Sequence, residues 1–304
     1  MKRIIPRELI KHLEWAPGQD SPNPPVENLI PQPVQQRIAS IDALVSGGRE
    51  FYSKQKDSRG HCIGVAVALQ DAVSRMGRDG IIATLPYLIA GKSKADKENY
   101  LWQNWFTALT EEDAGIDADG KLVGRGQAVV LTVHGGGILN HERIMQAYAE
   151  GLTPQNAAKL TDDEFNKLLN GVLPSGDSIS LYTVDDVKKG NVPDPFGRYA
   201  VWMPAEAARS KSSGYHAKGD FMKNELVVAR SGTLEHLDAY FEKAKHPSNK
   251  NVGNWHGLGE IDFSQPQGRV LFVNNDCLGL SGNYLLYNLG RFVGVAPEAR
   301  GARK

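Results

Sequence analysis

Apolar and polar positions follow a repeating order along this chain. A short apolar run is followed by a loop rich in Gly or Pro, and then by an amphipathic stretch. Residues 80–85 precede 95–109, 128–133 precede 142–150, and 178–183 precede 185–189. Residues 199–203 precede 204–209, and 225–229 precede 234–244. Short apolar runs bounded by turn residues predict buried strands, and apolar positions spaced by three and four predict helices. Their alternation predicts an α/β or α+β fold, a mixed sheet flanked by helices. Two more helices are expected. One covers 34–46, where Val34, Ile38, Ile41 and Val45 share a face and Gly47-Gly48 stops the pattern. The other covers 62–76, apolar almost all round and closed by Gly77.

The stretch 268–295 is the one the rest is expected to be organised around. Val270 to Val273 reads as a buried strand ending in Asn274, Asn275, Asp276 and Cys277. A loop with Gly279 and Gly282 follows, then a second apolar segment, 284–295. Polar residues at the end of a buried strand are a common place for a site. At the other end, residues 6–15 fit a short helix and 16–33 form an extended Pro-rich N-terminal arm. The expected division is 1–50 for the first helix, arm and second helix, and 51–304 for a single compact body. The arm offers a route to a homo-oligomer.

Charge and composition narrow the function. Lys plus Arg and Asp plus Glu both number 35 in 304 residues, so the net charge is zero. That balance argues against nucleic acid as a partner, since phosphate contacts need a basic surface. No apolar stretch reaches membrane-spanning length and the N-terminus lacks a signal-peptide core, so a cytoplasmic protein without a membrane partner is expected. Cys62 and Cys277 are the two cysteines, which suits a reducing compartment. The eight histidines show no metal-ligand spacing, so neither a metal nor a cofactor is expected.

Several motifs resemble chemistry. Gly91-Lys92-Ser93 has the end of a phosphate-binding loop, but Pro86 stands where the motif needs its first glycine. His134-Gly135-Gly136-Gly137 follows a strand like the oxyanion loop of esterases, without the serine elbow that chemistry requires. It reads as a tight turn whose N–H groups can receive an anion.

Cys62 lies at the expected start of a buried helix, where N–H groups favour a thiolate. A thiol nucleophile needs an imidazole base and an orienting group. His256 and then Asn274 or Asn275 follow in that order. The run from Trp255-His256-Gly257 through Val-Leu-Phe-Val-Asn-Asn-Asp to the glycine loop resembles papain-like cysteine peptidases, with Gln55 near the place of their oxyanion-hole glutamine. The resemblance covers two short stretches. It implies Cys62 as nucleophile, His256 as base, Asn274 or Asn275 as orienter, and a small-molecule or peptide substrate cleaved or transferred at an amide bond. A second arrangement, His134-Gly135 after one strand and Asp276-Cys277 after another, resembles caspases. The alternative class is a non-catalytic small-molecule-binding or assembly protein. There Asp185, Asp186, Arg230 and Asn274 would form a pocket at strand ends, with Trp102, Trp105, Trp202 and Trp255 lining a pocket or filling the core.

Overall fold

In a computed structural model, the described residues are 34–77, 80–210, 212–283, 286 and 288–296. The helix expected at 6–15, the Pro-rich arm, and any oligomer made through it lie outside them. The described body begins at Val34.

The body is an α+β fold built on two mixed-order sheets. A small sheet has the order β1 (Arg49–Ser53), β12 (Gly290–Val295), β2 (Ile81–Ile82), all antiparallel. The large sheet runs β6 (Ser180–Thr183), β7 (Tyr199–Pro204), β4 (Gln127–His134), β3 (Phe106–Asp117), β10 (Gln267–Val273), β11 (Leu280–Gly282), β9 (Val252–His256), β8 (Gly214–His216). A short β5 (Ala158–Lys159) also pairs with β10. The β6–β7 and β11–β9 pairs are parallel and the others antiparallel.

The sheet's centre, β4–β3–β10, is covered on both faces. One face packs Leu131, Val133 and Val270 against Ile144 and Phe165 of the helices His141–Glu150 and Asp162–Leu169. The other carries Val130 and Ala114 against Leu226 and Ala229 of the helix Glu225–Ser231. The helix Gly64–Met76 packs on β12, and Gly64 lies so close to Ser53 and Gly290 that any side chain there would strike their backbones.

Three stretches take a different form from the pattern's prediction. Residues 225–229 are helical. Asn224 accepts from the N–H groups of Leu226 and Val227, and Gly232 closes the far end in the left-handed region, so capping overrides the β-branched pair. The loop expected after residue 85 is the helix Leu85–Lys94, with Thr84 as cap and Pro86 in the first turn, where its missing N–H costs nothing. The helix expected over 95–109 is only Tyr100–Gln103, followed by the long strand β3. That strand was obscured by Glu111, Glu112 and Asp113, three consecutive buried acids.

Candidate functional site

The helix Leu85–Lys94 carries Lys92 into the body, where its side chain is fully buried. Its Nζ donates to the carbonyls of Leu101 (2.5 Å), Asn274 (2.9 Å) and Asn104 (3.4 Å). It also lies 4.5 Å from the centroid of the Trp102 ring. Burial, and then nearby Lys97, push this amine well below its ordinary value, while Asp276 pulls it back. Carbonyl hydrogen bonds and the ring face oppose the burial by favouring the charged form. One side chain thus ties the 101–104 segment to the end of β10.

Above that tie lies the loop that joins β10 to β11. Asn274 donates through its backbone N to Gly279 O at 2.8 Å and through Nδ2 to Ser281 Oγ at 2.9 Å. Asp276 Oδ1 accepts from Leu278 N at 2.9 Å, and Gly279 takes a φ of 65°, open to glycine without strain. From β9, Trp255 Nε1 donates to Leu278 O at 2.8 Å and Gly253 N to Cys277 O at 2.7 Å. The loop's backbone is therefore held from three sides, while Asn275 and Asp276 are exposed.

Around the loop stand aromatic and charged side chains. Tyr215, 46% exposed, meets the Trp255 ring edge-on at 5.3 Å. Partial burial, then the neighbouring Cys277 and Asp276, raise the pKa of its hydroxyl. Lys97 lies 3.8 Å over Trp102. Beside Asn104, Arg291 stacks 4.8 Å over Tyr52, itself 48% exposed, and 5.6 Å over Trp105. It also bonds Asn104 Oδ1 and, at 3.4 Å, Glu50. Lys92 bonds the backbone carbonyls of both Asn104 and Asn274, so the segments that carry these two groups of side chains are neighbours.

The thiol-site candidates are distributed otherwise. Cys62 pairs with Lys56 in an isolated bridge, two residues ahead of the helix Gly64–Met76, and Ile63 N donates to Gln55 O at 2.8 Å. Both stand beside the small sheet. His256 ends β9 on the large sheet, its N–H on Ser213 Oγ at 3.0 Å and its backbone opposite Gly282. Asn274 is committed to the loop and to Lys92, and Asn275 faces solvent. Asp276 and Cys277 adjoin in the loop, but His134 is elsewhere, at the end of β4. Its Nε2 bonds Ala229 O at 3.0 Å and its Nδ1 bonds Thr110 Oγ1 at 3.2 Å, so both ring nitrogens are engaged. Burial lowers its pKa to about 4.

The glycine loop is likewise occupied by the protein itself. Gly135 and Gly136 take φ values of 82° and 88°. The N–H groups that follow, on Ile138 and Leu139, donate to Glu111 at 2.6 Å and 2.9 Å. An internal carboxylate fills the place expected for an anion. Nor do Asp185, Asp186, Arg230 and Asn274 share a pocket. Asp186 caps its own helix with Thr183, and Asp185 pairs with Lys188 on the surface. Arg230 is buried in a bidentate pair with Glu112 at 2.7 Å and 2.9 Å. Among the described residues no group of His, Cys, Asp or Glu could hold a metal ion.

No family model matches the chain, and no curated protein does. A solved structure from Nanoarchaeota, described as accommodating massive sequence variation by the C-type lectin fold, is similar. It is 28% identical, covers 82% of this chain and 97% of its own, and superposes with a TM-score of 0.59. That likeness overturns the expectation of a thiol-dependent hydrolase or acyl transferase and points to the non-catalytic alternative. No helix among the described residues is long and apolar enough to cross a membrane.

Proposed function

We propose that this is a binding protein without catalytic chemistry, and that it takes a small polar molecule or a glycan on the face around the 274–279 loop. The observation that carries the reading is the division of labour at that loop. Its backbone is fixed by Lys92, Asn274, Gly253 and Trp255, while Asn275, Asp276, Tyr215 and Tyr52 project outward. Exposed aromatics beside carboxylate, amide and ammonium groups provide ring-stacking surface and oriented hydrogen bonds together. The likeness to a fold described as tolerating massive sequence variation supports this reading, because such a division leaves the outward side chains replaceable.

A glycan and metabolite array tests it. Saturable binding that Tyr215→Ala and Asp276→Asn, whose amide oxygen keeps the bond from Leu278 N, each weaken at least tenfold, with unchanged melting temperature, is the expected result. Binding indifferent to both substitutions, or none to any probe, would overturn the reading.

A further inference from the structure

The face of β3 opposite Arg230 carries Glu111 and Asp113, two positions apart and both buried. Two glycines make room for them. A side chain at Gly137 would collide with the Glu111 carboxylate, and one at Gly268 would collide with Asp113. Glu111 spends both oxygens on the Ile138 and Leu139 N–H groups. Asp113 has no hydrogen-bond donor on either oxygen among the described residues.

Among the described residues the surroundings offer no uncommitted counter-charge. On β4 and β10, the neighbours on this face are Leu131, Val133, Gly268 and Val270. On the adjoining helices, Arg143 is committed to Glu164 at 2.6 Å, and that Glu164 bears on Asp113 as one more negative charge. Glu112, pointing the other way, does the same although it is paired with Arg230. Two like charges buried side by side in an apolar layer cannot both persist. A proton on Asp113 removes one charge and supplies the donor that the pair lacks.

We propose that Glu111 and Asp113 hold a single proton between them at neutral pH, and that its loss at alkaline pH releases the glycine loop from Glu111. The pair is then a latch. While protonated, Asp113 leaves Glu111 free to grip Ile138 and Leu139. Once both ionise, their repulsion is relieved by moving the loop and admitting water. The direction follows from linkage. The folded state keeps a proton that the unfolded chain gives up near pH 4, so this contribution falls as pH rises from there until the folded pair itself titrates. The raised pKa of both carboxyls, from burial first, agrees in direction.

The test compares wild type with Asp113→Asn, whose amide supplies the same donor and cannot ionise. Melting temperatures are measured from about pH 5 to about pH 9. The wild type should lose ground to the variant by about 2–4 °C per pH unit within the window, the effect of one proton on a domain of this size. Amide protection at Ile138 and Leu139 should fall with pH in the wild type and hold level in the variant. A constant difference across the range would overturn the proposal. Should the variant not fold, the infrared spectrum of the wild type at neutral pH decides instead: a protonated-carboxyl band supports the shared proton, and its absence refutes it.

Discussion

Lys92 and Asn274, 182 positions apart, are joined by a 2.9 Å hydrogen bond from a buried side-chain amine to a backbone carbonyl. It fixes where the outward loop begins. Replacing Lys92 with Met keeps most of the volume and strands up to three carbonyls, at about 1–3 kcal/mol for each one left unsatisfied. We expect Lys92→Met to lower stability by a few such increments and to speed hydrogen exchange across 274–279 more than across the core strands. Uniform exchange changes throughout the chain would contradict the tie.

His134 predicts an acid-side slope. Its ring is buried neutral with a pKa of about 4, below the usual value of 6.5. The unfolded chain therefore takes up the proton first. Stability should fall as pH drops from about 6.5 to about 4, by about 3 kcal/mol if the shift is fully expressed, and level off below. Denaturant titrations at several pH values would show this, and His134→Gln should flatten the curve. This slope runs opposite to that of the Glu111–Asp113 pair, so each must be read against its own variant.

The two cysteines should behave differently. A bulky maleimide on Cys277 sits on the proposed binding face and should block ligand capture. The same label on Cys62, beside the small sheet that carries Tyr52, should weaken capture less. Labelling Cys62→Ala and Cys277→Ala variants singly separates the two, and equal effects from both positions would count against the assigned face.

Arg230 and Glu112 form a bidentate pair with both side chains almost wholly buried. Removing one partner leaves an unpaired charge in the core, so Glu112→Gln should cost about 3–5 kcal/mol in denaturant unfolding. A loss below 1 kcal/mol would show that water reaches Arg230.

The sequence disclosed the fold class because strand–helix alternation is written in local apolar spacing. The strands β4, β7 and β10 were each legible as apolar runs. The outward loop was legible too, as a polar cluster after Val273. What local pattern could not convey was pairing over distance. Lys92 read as a fragment of a phosphate loop, because nothing near it in sequence shows that its acceptors are Leu101, Asn104 and Asn274. Tyr215 and Arg291 gave no signal, since an exposed aromatic gains meaning only beside Trp255 or Tyr52. Cys62, His256 and Asn274 stood in a suggestive order along the chain, yet order along a chain does not constrain which sheet a residue joins.

The small sheet places β12 between β1 and β2, pairing Arg49 with Gly294 and Ile82 with Gly294 from its other side. During synthesis both outer strands emerge long before the one that joins them. Neither can complete its hydrogen bonds until residue 295 has left the ribosome. This sheet is thus a late clasp: chains stalled or truncated ahead of β12 keep two open strand edges exposed, and any chaperone or protease that recognises such edges reads whether β12 has joined them.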